Sequence, residues 1–520
     1  MSRIRELGTS IGSTLMAQVL GLVISLVFIA YFGRVLPKAD MAAYAFLFTL
    51  TAWVNMLSGM GLATLAVRDT PGLMMQGHRE HVTRLITSTF VFRTVGGAVV
   101  TGGLLLLAPF LSRRIFGTDD YALEFRLISI GALIFSTLST ISLMQWALQR
   151  FHWRATCDLI SSLLTRLLAV ALFFGWGFHG FLVGTIIGGL IAVGLQLYSV
   201  RDYLSPRLLP FRPLFRQGAP YMGSDMLRNL LVNLDQPLVA FILGDVALAD
   251  FFVAKRCYGC FNMALQAMTG PLGAKLSEAR VQGTAALTSF FQNSLYLIAI
   301  LFIPAGFALI GTSGVILRVL VGAKYATAAP ILAMYGLALA ASCTYELWYE
   351  AVVRLQAGSK VIFQNLLLSV VTYGSYFAFL PFLGPVGIPL SAAIAWAAAS
   401  VVAAYSLRRE VGLRCRAGLY VRPMLCGVLV LAAVWPLTWL RQTPATFTLM
   451  MAVAGGCYAI GFWLLAPANV RELVRRVWRR AVRFRGGQGA MPQAEGRADA
   501  GPRPDQLVGR SPEVDIVVKE

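Results

Sequence analysis

Apolar runs of about twenty residues recur along nearly the whole chain, separated by short clusters of Gly, Pro and charged residues, and this spacing predicts helices that cross a bilayer. Barrel strands would instead alternate polar and apolar positions over about ten residues, which is not the pattern. The runs lie at 9–32, in the stretch ending at 67, at 85–111 and 121–148, in the stretch after Arg154, and at 178–198. They continue as two in 218–275, then 289–310, 328–353, two in 361–407, 423–440 and 447–465. That makes about fourteen spans, the length of each matched to roughly 30 Å of hydrocarbon at 1.5 Å per residue. Pro304 sits inside one of them, where it is expected to kink the helix.

Some spans are not clean. GAPYMGSDMLRNLLVNLDQPLVAFILGD and VALADFFVAKRCYGCFNMALQAMTGPLGAK, joined by a tight turn, read as an antiparallel hairpin with a polar stripe on each helix. Asp225, Arg228, Asn229, Asp235 and Gln236 share one face of the first, and Lys255, Gly259, Asn262 and Gln266 share one face of the second. A charge facing lipid at mid-bilayer costs at least about 2.5 kcal/mol, so these residues face protein or a hydrated cavity. Asp235 and Lys255 lie at matching depth, within reach of a structural ion pair. Arg228 has no equally obvious partner and is the stronger ligand candidate.

Composition agrees with the spacing: 57% of the 520 residues are hydrophobic, only 13% are charged, and mean hydropathy is +0.70, which excludes a soluble enzyme. The net charge of +20 would suggest nucleic acid if it were clustered on one face. It follows topology instead. With the amino terminus inside, inner loops and the start of the tail hold about 27 lysines and arginines against about 8 outside, which places both termini in the cytoplasm. Arg113 and Arg114 break the rule but share their turn with Asp119, Asp120 and Glu124. No cleavable signal is evident, and the single CxxC, Cys257 to Cys260, lies within an apolar span, where core packing rather than metal binding is expected. Five basic (Arg93, Arg166, Arg228, Lys255, Arg256) and five acidic residues (Asp158, Asp225, Asp235, Glu346, Glu350) fall inside spans, predicting a nearly neutral lining.

The turn GRVLPKADMAAYAF has a counterpart about 210 residues later, GDVALADFFVAKR, each with Gly at a helix end and an Ala-Asp pair opening the next span. Two six-helix lobes, 1–200 and 218–408, follow from this repeat, related by a pseudo-two-fold axis along the membrane normal with a cavity between them. The segment 201–217, with four arginines and three prolines, is a cytoplasmic linker. Residues 409–466 form a basic loop and two extra helices, 467–485 a basic amphipathic helix on the inner leaflet, and 486–520 a disordered tail. The fold class is therefore an all-α polytopic membrane protein.

On the SIGSTLMAQVLGLVISLVFIAYFGRVL opening, the YFGRVLPKADMAAYAF turn and the LVNLDQPLVAFILGDVALADFFVA hairpin, the chain resembles the polysaccharide transporters, the Wzx-type oligosaccharide-lipid flippases of the multidrug/oligosaccharidyl-lipid/polysaccharide exporter superfamily. The resemblance covers roughly residues 5–466. It implies alternating access between two lobes that moves an undecaprenyl-pyrophosphate-linked oligosaccharide across the bacterial inner membrane, alongside polymerase and export proteins of a polysaccharide pathway. In related lipid II flippases, basic residues on the first two helices of each lobe engage the substrate, a pattern that Lys255 and Arg256 match. The first two spans carry Gln18 and Asn55 in place of arginine, so basic side chains of the amino lobe would come from Arg93 or Arg166.

The cavity expected from this reading pairs phosphate with Arg228, Lys255 and Arg256, because arginine forms two parallel hydrogen bonds to phosphate. It pairs sugar hydroxyls with Asn55, Asn229, Asn262, Gln18 and Gln266, and sugar faces with Tyr258, Tyr335 or Trp53, although helix packing accounts for such residues equally well. Asp235, Glu346 and Glu350 are candidates for coupling to protons or sodium, and no other cofactor, metal or nucleic-acid partner is expected. The rivals are a multidrug cation antiporter, which requires an acidic cavity, and a membrane glycosyltransferase or polymerase, which requires a long outer loop that this chain lacks.

Overall fold

The structure, a computed structural model, describes residues 20, 21, 23–356, 358–413, 415, 418–440 and 443–465. Gln18, the start of the first span, and the segments 467–485 and 486–520 lie outside the described residues, as do the side chains of Asp225 and Arg228.

Every regular element among the described residues is helical. The first group is α1 (Val23–Val35), α2 (Lys38–Gly59), α3 (Leu62–Met75), α4 (Arg79–Phe116), α5 (Ala122–Ala147) and α6 (Phe151–Val200). The second is α7 (Phe211–Asn233), α8 (Asp235–Leu243), α9 (Asp245–Val281), α10 (Thr284–Leu320), α11 (Ala329–Leu355), α12 (Gly358–Leu383) and α13 (Gly387–Glu410), with α14 (Gly418–Val434) and α15 (Pro444–Leu465) packed on α10. Helices pack mainly within their own group, giving two lobes, and α2 and α3 meet α7 and α9 across the boundary. Turns near residues 36, 119, 244 and 325 gather at one end, here the Lys38 end, and those near 77, 149, 205, 283 and 356 at the other, the Arg150 end.

The runs before and after residue 177 form two helices, as expected, labelled together as α6 and joined at Trp176 and at Gly177, whose φ of 58° favours glycine. The chain reverses there. A Cβ at Gly180 or Gly184 would lie 2.1 and 2.3 Å from the Leu172 and Leu168 carbonyl oxygens, so glycines every fourth residue let the two arms touch backbone to backbone. Arg150 ties the far ends together by donating to the Ser199 carbonyl at 2.7 Å. The run ending at 67 is interrupted at Met60 and Gly61, which separate α2 from α3, and the first arm of the polar hairpin breaks at Leu234. α10 continues through Pro304 without a break.

By length and composition, nine described helical segments can cross a membrane, two of which, 153–203 and 359–410, are such hairpins. α7 and α9 are not among them because their polar stripes dilute the apolar run. At the Lys38 end, Arg113 donates to Asp119 at 2.6 Å, which holds that carboxyl below its usual range and offsets the charge that broke the topology rule.

Candidate functional site between the lobes

The interruptions and polar stripes converge on a cavity of about 1270 Å³, walled by α1 to α6 of one lobe and α7, α8 and α9 of the other. On α6, Arg154, Asp158, Ser162 and Arg166 follow one another at i, i+4 spacing and so share the face turned to it. On α9, Lys255, Arg256, Gly259, Asn262 and Met263 do the same, and Asn55, Arg93, Asn229, Asn233 and Gln236 complete the polar lining.

Among the described residues the lining carries five cations, Arg93, Arg154, Arg166, Lys255 and Arg256, and one carboxylate, Asp158. This corrects the nearly neutral lining expected above: the acidic residues are abundant but placed elsewhere. Glu346 and Glu350, on α11, do not line the cavity, and Glu350 pairs with Arg354 at 3.0 Å one turn away. Asp235 is buried behind Lys255, accepting its ammonium at 2.8 and 2.6 Å through both oxygens and the Gln236 backbone N–H at 2.8 Å. The structural ion pair is therefore what forms at this depth, and it leaves Asp235 occupied by a tethered cation.

Arg166 and Arg256 come from opposite lobes and line the same cavity. The Arg256 guanidinium lies 3.6 Å over the Phe48 ring and 5.1 Å from Phe252, and Arg166 lies 5.6 Å over Phe28, with one buried Nη that has no hydrogen-bond partner. Aromatic faces compensate a desolvated cation by about 2 kcal/mol at best and leave its N–H groups to find an acceptor. Arg93 donates to Asn55 Oδ1 at 3.2 Å, which also accepts from Ser136 at 3.0 Å, so the amide that stands in place of arginine on α2 orients an arginine on α4.

Of the residues named from sequence, the structure brings Asn55, Arg93, Arg166, Asn229, Lys255, Arg256 and Asn262 to one cavity. Gln266 is exposed and away from it; Tyr258 and Tyr335 are buried and stacked on each other at 4.6 Å, and Trp53 does not line it. Gln236, named in the polar stripe, also lines it; Trp146 and Arg154 were missed as site residues. Arg154 reads as a loop marker until the i+4 series to Arg166 is noticed. Among the described residues, no group of three His, Cys, Asp or Glu side chains is placed to hold a metal ion.

The tethered pair makes one prediction. Lys255→Met strands a buried carboxylate and lowers stability by about 3–5 kcal/mol, whereas Lys255→Met/Asp235→Asn recovers most of the loss. Thermal unfolding in detergent measures both; a double variant no more stable than the single one would contradict the pairing.

Residues 7–273 match the model of a family described as polysaccharide biosynthesis protein. Among solved structures the chain is similar to the lipid II flippase MurJ in an inward closed conformation, with a TM-score of 0.68 and 17% identity over 89% of this chain and 98% of that one. It is also similar to an inward-facing multidrug resistance MATE family transporter of the MOP superfamily (TM-score 0.62, 16% identity, 76% and 94% covered). A MATE transporter from Vibrio cholerae gives 0.58 at 16% identity, with 81% and 100% covered. Among curated proteins none matches by sequence. At these identities the structural likeness establishes the two-lobe transporter fold.

Proposed function

Because the chain belongs to the polysaccharide biosynthesis protein family, we propose that it is a flippase that carries an undecaprenyl-pyrophosphate-linked oligosaccharide across the bacterial inner membrane by alternating access. The observation that carries this reading is the cationic cavity shared by the lobes, where Arg166 and Arg256 line the wall from opposite sides and one Arg166 Nη is buried without an acceptor. A diphosphate supplies an acceptor to that Nη and a counter-charge to both guanidinium groups, while the prenyl chain remains in lipid. Lys255 and Arg93 add positive charge, and Asn55, Asn229 and Asn262 supply donors and acceptors for hydroxyl groups. The positive-inside rule places the Arg150 end and both termini in the cytoplasm, with fourteen crossings.

Coupling to a proton or sodium gradient would run through Asp235, because among the three carboxylates considered it alone reaches the cavity, by way of Lys255. The multidrug antiporter reading needs acidic groups to dominate the lining, and cations dominate it instead. Polymerase and export proteins of the same pathway are the expected partners.

Reconstitution tests the proposal. Proteoliposomes carrying the protein should expose a fluorescent farnesyl-diphospho-oligosaccharide to a membrane-impermeant quencher faster than empty vesicles do. Protein that leaves this lipid unmoved while exchanging a lipophilic organic cation would be the antiporter.

A further inference from the structure

The cavity is chemically two-ended. Around Arg166 and Arg256 it is cationic and aromatic. Toward the Arg150 end it becomes hydroxylic and charge-balanced. There Trp146, at the last turn of α5 and 46% exposed, stands beside Arg154, whose guanidinium carbon is 4.9 Å from the indole ring. Arg154 pairs with Asp158 at 3.6 Å and donates to Ser142 at 2.8 Å. Gln196, 1% exposed on the returning arm of α6, donates to the other Asp158 oxygen at 3.2 Å and fixes the carboxylate from behind. Its own Oε1 is buried with no hydrogen-bond partner. Ser139 and Ser162 line the same stretch of wall.

We infer that this ledge of Trp146, Arg154 and Asp158 is a subsite for an uncharged sugar ring of the substrate, an inference that rests on the flippase reading above. The side chains of Asp158 and Arg154 remain 45% and 32% exposed although paired, so each keeps free acceptor or donor capacity. Because the two charges cancel, the ledge offers dense hydrogen bonding without selecting an anion. An indole beside such a pair is amphipathic, as a pyranose is: polar at the rim and apolar on the face. Position supports the assignment. Asp158 precedes Arg166 by eight residues on one helix arm, about 12 Å at 1.5 Å per residue, so a diphosphate held at Arg166 places the glycan that follows it along the ledge.

Binding measurements on the full chain in detergent separate this inference from the reading beneath it. The probes are farnesyl diphosphate and farnesyl-diphospho-disaccharide, the disaccharide being neutral. In the wild type the disaccharide should tighten binding about tenfold or more over farnesyl diphosphate alone. Asp158→Asn and Trp146→Ala should each reduce that increment to less than about twofold, while retained farnesyl diphosphate affinity shows that the variants are folded. An increment that survives in both variants, or is absent from the wild type, overturns the subsite. Failure of the wild type to bind farnesyl diphosphate at all overturns the flippase reading itself, and the subsite with it.

Discussion

Arg166→Gln and Arg256→Gln each weaken binding of farnesyl diphosphate by about ten- to a hundredfold, and the pair together abolish transport, without loss of folded protein. Hydrogen bonds to charged groups contribute about 1.5–3 kcal/mol each, which converts to that range of affinity. Stability should move the other way. In the absence of substrate the two guanidinium groups are drawn partly out of water in one cavity, with rings over them and, for Arg166, a buried Nη that has no partner. Replacing either by a neutral amide removes a desolvated charge, so the melting temperature in detergent holds or rises. Arg256→Lys keeps the charge and loses the planar fork, and should fall between wild type and Arg256→Gln in affinity. A structural role predicts the reverse: melting falls in every variant and diphosphate binding changes only as folded protein is lost. That result would remove the physical basis of the proposed site.

The parts of this site legible in the sequence were those fixed by period and by the cost of burying charge. Lys255, Asn262 and Asn229 declare themselves because a helical stripe of polar residues in an apolar span has one tolerable direction. What the period cannot give is which helix a charged face meets. Counting five bases and five acids predicted a neutral lining, but Glu350 was already committed to Arg354 on its own helix and Asp235 was withdrawn behind Lys255. The i, i+4 pairing was readable; the burial of Asp235 was not, because it depends on the break at Leu234 that starts α8 with this carboxylate. Similarly, Trp146 looked like the end of a span, and only the turn between α5 and α6 puts Arg154 beside it. The repeat was legible from the Ala39-Asp40 and Ala249-Asp250 pairs. Its functional asymmetry was not: Lys38 has Leu248 as its counterpart, so one lobe alone supplies a cation at that turn.

That asymmetry sets up the second large effect, at the Lys38 end. Beyond Phe48 and Phe252, whose rings stack at 5.7 Å where the cavity stops, the lobes are joined by polar contacts between the α1–α2 turn and the segment leading into α11. Lys38 pairs with Asp250 at 2.7 Å, Thr327 donates to the same carboxylate at 2.6 Å, and Lys324 donates to the Leu36 carbonyl. Arg34 donates to the Val319 carbonyl, and Tyr325 is fully buried beneath the lysines. None of these contacts survives separation of the lobes at this end, so together they hold the lobes closed here. At the Arg150 end the closure among the described residues is Gly61 against the Gly218 backbone, Arg68 donating to Tyr221 and apolar packing of Leu62 and Leu65 with Leu214 and Tyr221. Lys38→Glu sets two carboxylates against each other. Losing a partly buried pair costs about 3–5 kcal/mol, enough to move a conformational equilibrium at least a hundredfold toward opening. Cys260 is a native reporter because it lines the cavity, so its modification by a membrane-impermeant maleimide applied from the Lys38 side should accelerate at least tenfold in Lys38→Glu. Lys38→Glu/Asp250→Lys restores the attraction with reversed sign and should return labelling to the wild-type rate. If the double variant labels as fast as the single one, closure at this end depends on packing around Tyr325 and the stacked phenylalanines, and the ion pair is incidental to it.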